Sequence, residues 1–203
     1  MNIPDTVQKV LLSCGFIAAF LYLVMDLLAG NLIKGYRFSI QSMSELGAAG
    51  SPTRPLVIGL TIAASAFLVA FGAGVWRVAG AAALPRIVAA LIIGNAITGL
   101  VSTLFFPNSY GMQPKFGTPG VQLMFISVLC FVLAMVFGAA AFHGWMRILS
   151  VAIPAAYVVL GILRFALAAS FNSQDLVLIG SQERTMAYSF LVWVAGLAVY
   201  LLR

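Results

Sequence analysis

Residues 121–142 read VQLMFISVLCFVLAMVFGAAAF, 22 positions without one charged side chain. A helix of about 20 apolar residues is long enough to span the hydrocarbon core of a bilayer. The run lacks the strict apolar–polar alternation of a membrane-barrel strand. It therefore reads as a transmembrane helix, opened by Pro119, where a missing N–H is tolerated.

The same reading extends outward. Further apolar runs cover 11–33, 56–75, 87–106, 148–169 and 186–202. Pro55 and Pro85 stand near the starts of the second and third, Thr53 is placed to cap the second, and Pro107 follows the end of the third. The whole chain has 203 residues, 63% hydrophobic and 8% charged, with a mean hydropathy of +1.08. Soluble domains carry about 25% charged and 45–50% apolar residues, and disordered chains are still more polar. Both classes are excluded. The expected fold is all-α: a polytopic integral membrane protein with six transmembrane helices in one bundle, a single domain over 1–203. The first run is too long for a signal-peptide core and lacks a small-x-small cleavage site after it, so it reads as a retained helix.

Eleven Lys and Arg against five Asp and Glu give a net charge of +6. The cations are spread among the loops, where they orient a membrane protein and meet anionic headgroups, and they form no nucleic-acid platform. Lys9, Arg77, Arg86, Arg147 and Arg203 fall on the side of the termini, and Lys34, Arg37, Arg54, Lys115 and Arg184 on the other. The count is even. The first side has the shorter loops, and the second also carries Glu45, Asp175 and Glu183. Both details favour cytoplasmic termini, in a multi-pass protein of the cell (inner) membrane. Cys14 and Cys130 lie inside apolar runs and read as small hydrophobes. No repeat relates the two halves, which argues against an inverted-repeat transporter.

Asp26 and Arg164 are charges inside apolar runs, each costly to insert. They stand seven residues before Ile33 and six before Ser170, or roughly 10 and 9 Å from those ends at about 1.5 Å per residue. The two runs point the same way, so the charges share a depth. An ion pair follows as an expectation, either lining a polar pocket or clamping two helices; the alternative is Arg164 snorkelling outward.

The stretch Ser39 to Pro52 carries Ser42 and Glu45 at capping-box spacing, which predicts a short helix there. Gln182-Glu183-Arg184 precede the last run. An Arg at a helix start opposes the helix dipole, so Arg184 is expected to face an acidic group such as Glu45 or a lipid phosphate, or to act as an interfacial anchor. Asn95, Thr98 and Ser102 share one face of the third run. They line a cavity or, as favoured, bond across helices. Ala70–Gly74 and Ala134–Gly138 have small-residue spacing suited to close helix packing.

The inventory limits the chemistry. One histidine, His143, sits at an inner helix end, which excludes a multi-histidine zinc centre and bis-histidine haem and argues against a Ser–His–Asp hydrolase. A phosphate-binding glycine loop is absent. No metal or cofactor is expected.

Ser42-Met-Ser-Glu-Leu-Gly47 after the first run, Phe106-Pro107 closing the third, and Gly180-Ser-Gln-Glu-Arg184 leading into a Trp193-bearing last helix form a pattern across nearly the whole chain. In this the chain resembles the six-helix membrane proteins grouped as domain of unknown function 998. The resemblance implies a six-helix bundle without a settled activity. It also implies an Asp after the Phe-Pro and a His opening the fourth helix, where this sequence has Asn108-Ser109 and Gln122. That departure weighs against an enzyme.

The expected function is a non-catalytic bundle that contacts lipid or binds a membrane-protein partner or a second copy of itself, with an outward polar cluster of Asp26, Glu45, Arg164, Glu183 and Arg184. The alternative is a small transporter or lipid-handling enzyme using that cluster. A water-filled cavity of roughly 300 Å3 or more with several convergent polar groups favours the alternative; a solid bundle with a flat small-residue face favours partner binding.

Overall fold

Asp5 and Gln8 close a capping box at the start of α1 (Thr6–Leu32): Asp5 accepts the Gln8 N–H at 2.8 Å, and Gln8 accepts the Asp5 N–H at 2.9 Å. The computed structural model describes residues 5–111, 117–171 and 179–203, the side chains of 161–171 and 179 excepted. After α1 come the short α2 (Met43–Leu46), then α3 (Arg54–Ala79), α4 (Ala83–Phe105), α5 (Pro119–Ala141), α6 (Trp145–Phe171) and α7 (Ile179–Leu202). Pro55 and Pro119 occupy first turns, as the sequence predicts. Thr53 precedes α3 but does not cap it. Its buried hydroxyl donates instead to the Leu46 carbonyl at 2.9 Å.

Among the described residues five helices are long and apolar enough to cross a membrane: Thr6–Leu32, Arg54–Ala79, Ala83–Phe105, Pro119–Ala141 and Gly180–Leu202. The expected span 148–169 falls on α6, whose described apolar stretch is Trp145–Leu160. Lys115 and Asp175 lie outside the described residues. Phe20, Leu28, Ile97, Leu129, Val136 and Val192 are exposed on the outside of these helices. In water such a surface would be a liability; in hydrocarbon it is the solvated face.

The long helices close a ring: α1 packs on α3, α3 on α4, α4 on α5, α5 on α6, α6 on α7, and α7 returns to α1. The ring is solid at the end that carries the termini. There Leu12, Phe71, Ile92, Met135, Trp193 and Leu197 form one buried core. Small residues set the spacing. A methyl on Gly74 would stand 2.9 Å from the Leu11 Cβ, and one on Gly138 3.0 Å from the Trp193 ring, so both expected packing faces lie at helix contacts. The Trp193 indole N–H, buried in this core, donates to Ser150 at 2.9 Å. His143 is exposed at the same end.

Toward the far end the described helices leave a cavity among them. Its roof is the segment between α1 and α3, which carries α2. Leu46 of α2 packs on Met25 and Ala29 of α1 and Val57 of α3. On one side the Ala49 N–H donates to Asn108 O at 2.7 Å and the Tyr110 N–H to Ala49 O at 3.0 Å, joining the roof to the loop after α4. On the other side the Ser181 N–H donates to Ser39 O at 3.0 Å, joining it to α7.

Candidate functional site: a roofed cavity and its polar latch

Asp26 is fully buried in α1. A lone carboxylate there would be strongly disfavoured. It is held by Arg184 of α7 in a fork: Nε donates to Oδ2 at 2.9 Å and Nη2 to Oδ1 at 2.8 Å. The Tyr188 hydroxyl, one turn further along α7, donates to the same carboxylate. The remaining guanidinium hydrogens go to the roof. Nη2 donates to the Tyr36 hydroxyl at 2.8 Å, and Nη1 to the carbonyls of Phe38, Gln41 and Gly180. A guanidinium has five N–H donors, and all are engaged. Its plane also lies over the Phe38 ring, 4.8 Å from the centroid.

This latch fastens the roof to two helices at once. Tyr36 passes its own proton to Ser42 O at 2.8 Å. Burial pushes its phenol up from the ordinary range, against the pull of the Arg184 hydrogen bond. Gly180 is required by close approach: a Cβ there would run into the carbonyl oxygens of Phe38 and Gln41.

A second set of bonds holds α2. Ser42 is its N-cap and accepts the Ser44 N–H at 3.1 Å. Glu45 does not complete the expected box; it accepts from the Gln41 amide at 3.0 Å. The carboxylate at the helix start comes from α7 instead. Glu183 accepts the Met43 N–H at 2.7 Å and the Ser42 hydroxyl at 2.7 and 2.8 Å. With that proton spent, the 2.7 Å contact between the two serine hydroxyls has Ser44 donating to Ser42. Asn108 donates weakly to Ser44 at 3.4 Å.

Beneath the roof lies a cavity of about 600 Å3. Its walls are largely apolar, among them Ala64, Leu68, Val128, Phe131, Phe190 and Val194, and its roof end carries Ser44, Asn108 and Glu183. Along α7 the lining runs from Gln182 to Val194, roughly 18 Å at about 1.5 Å per residue. Asn95 and Ser102 border it while bonding across to α5: Asn95 donates to Ser127 O and Oγ at 3.0 and 2.8 Å, and Ser102 to Gly120 O at 3.3 Å. Cavity lining and cross-helix bonding thus coexist. Thr98 turns its hydroxyl to the carbonyls of Gly94 and Asn95 in its own helix.

The structure therefore brings Asp26, Arg184, Glu183 and Glu45 to one end of the bundle. The partner of Asp26 is Arg184, on the last helix; the side chain of Arg164 lies outside the described residues. Tyr36, Phe38 and Tyr188 were not singled out from the sequence. Tyr188 had a signal: it follows Arg184 by four positions, so the two share a helix face. For Tyr36 and Phe38 the only hint was a pair of aromatics flanking Arg37 in a polar loop.

A ring of apolar helices with a lipid-facing surface and a roofed cavity at one end defines a multi-pass integral membrane protein. The chain belongs to the family described as protein of unknown function (DUF998), whose pattern matches residues 16–200. No curated protein and no solved structure matches it.

Proposed function

We propose that this protein is a single-domain bundle of the cell membrane that holds one amphipathic molecule, a lipid or lipid-like compound, in the roofed cavity; a cavity of this size favours lipid handling over partner binding. The observation that carries the reading is the cavity itself. Its volume of about 600 Å3 lies within the 300–1,000 Å3 of small-molecule sites in general. Apolar walls with polar groups gathered at one end match a molecule with a tail and a head. A solid bundle would have spoken for partner binding.

In this reading α6 is the sixth span, and the termini are cytoplasmic. The cation count is even, and the shorter loops on the terminal side support the assignment under the positive-inside rule. Arg86 over Trp76 and Arg203 over Trp145 are cation–aromatic pairs of the kind found at an interface, and both lie on the terminal side.

The experiment is photocrosslinking of a diazirine-bearing fatty alcohol to the protein in vesicles, with the adducts mapped. Adducts on Met124, Leu191 and Val194, lost in Gly99→Leu, support the reading. Gly99 borders the cavity, and open space faces it, so the leucine fills the site. Adducts confined to outward residues such as Phe20 and Leu28 overturn it.

One observation favours a second reading, a lipid-handling enzyme. The hydrogen bonds Ser44 to Ser42 to Glu183 run from the cavity into a carboxylate, a route for a serine proton. Under that reading a bound lipid ester is cleaved, and Ser44→Ala abolishes the cleavage. Under the binding reading the ester is recovered intact.

A further inference from the structure

The chain carries eleven cations and five acids, yet the one charged side chain lining the cavity among the described residues is the acid Glu183. Each carboxylate offers about four acceptor positions. Ser42 and Met43 supply two donors to Glu183, which leaves acceptor capacity. No Lys or Arg lines the cavity among the described residues. Arg184 spends all its donors on Asp26, Tyr36 and three carbonyls. Arg54 donates to the Gly47 carbonyl in the roof. Ser44 and Asn108 complete the polar end, and both can accept from a donor head.

We propose that the polar end of the cavity selects an amphiphile with an ammonium head and rejects one with an anionic head. This rests on the amphiphile-binding reading above and names its ligand class. Glu183 supplies the opposite charge, and Ser44 and the Asn108 side-chain carbonyl accept the remaining N–H groups of a primary ammonium. A phosphate or sulfate head would meet a carboxylate with no cation beside it among the described lining residues. The apolar depth below accepts the chain.

The test uses the full chain in neutral detergent and native mass spectrometry. The probes are dodecyltrimethylammonium, dodecylammonium, dodecyl sulfate and 1-dodecanol, at equal concentrations below micelle formation. Wild type should retain both cations at least about tenfold more tightly than the sulfate, because the Glu183 carboxylate attracts the one charge and repels the other. Glu183→Gln should collapse that ratio, and Asn108→Lys, which leaves the carboxylate in place, should lower or reverse it. Two substitutions of opposite design keep the test readable if one of them fails to fold. Equal retention of cations and sulfate by wild type, or a ratio that survives both substitutions, overturns the proposal while leaving amphiphile binding intact. Retention of none of the four, dodecanol included, overturns the binding reading itself. Phosphatidylethanolamine added as competitor separates two sources of the head: displacement of dodecyltrimethylammonium assigns a membrane lipid, and no displacement assigns a single-chain cation.

Discussion

Arg184 and Asp26, 158 positions apart in the chain, meet in a buried fork of two N–H···O bonds of 2.9 and 2.8 Å. The pair joins α1 to α7 and closes the helix ring. The other guanidinium hydrogens hold the roof, so one side chain sets both the ring and its cover. Removing either partner leaves a buried charge uncompensated.

Asp26→Asn and Arg184→Gln should each destabilise the protein by about 3–5 kcal/mol, the usual cost of breaking a buried pair. Lysine is no substitute, because it lacks the planar fork. The double reversal Asp26→Arg with Arg184→Asp should fail to rescue. A carboxylate at 184 would face the carbonyls of Phe38, Gln41 and Gly180, which now accept from Nη1. Thermal unfolding in detergent is the measurement; full recovery in the double variant would show that the roof contacts are dispensable.

Gly180→Ala should loosen the roof more than its size suggests. The added methyl collides with two carbonyl oxygens of the roof segment, and backbone cannot swing aside as a flexible side chain can. Gly59→Ala is the matched control. That glycine is exposed on α3, and a methyl there meets nothing within 4 Å, so the change should be neutral or stabilising by up to about 1 kcal/mol. Proteolysis of the 34–53 segment should accelerate in Gly180→Ala alone.

Ser150→Ala tests the solid half of the ring. It leaves the buried Trp193 indole N–H without its partner, a loss of about 1–3 kcal/mol. The site lies at the end opposite the roof, so crosslinking of the fatty alcohol in the cavity should persist while the unfolding temperature falls. Loss of both together would mean that the two halves do not act separately.

The membrane class was legible because hydropathy is additive: runs such as 121–142 declare themselves without tertiary information. The fork of Asp26 with Arg184 was half legible. Each residue was visible as a costly charge, and depth along a helix can be counted. Which cation faces which acid depends on the order of helices around the ring, and that order is absent from a one-dimensional pattern. Matching depths suggested Arg164; the closure of α7 on α1 brought in Arg184. The cavity was not legible at all. Asn95 and Ser102 form a polar stripe, but a stripe does not reveal whether the opposite wall touches it or stands back. The roof was legible in part. The serine and glutamate spacing predicted α2, while the carboxylate bonding its first N–H came from Glu183, 140 positions from Met43.

Tyr36 gives the roof a pH dependence whose sign follows from its surroundings. Burial holds its phenol above the ordinary value of 10.0. A group whose folded pKa lies above its unfolded one contributes stability that is fully present below the unfolded value and is lost as pH rises through the folded value. Ionisation removes the hydrogen that Tyr36 donates to Ser42 O. Tyr36→Phe lacks that hydrogen at every pH. The gap in unfolding temperature between wild type and Tyr36→Phe should therefore be widest below about pH 10 and narrow above it. Melts from about pH 8 to about pH 11 read the gap directly, because other titrating groups are common to both proteins. A gap that stays constant across that range would mean that the phenol does not contribute to the latch through its proton.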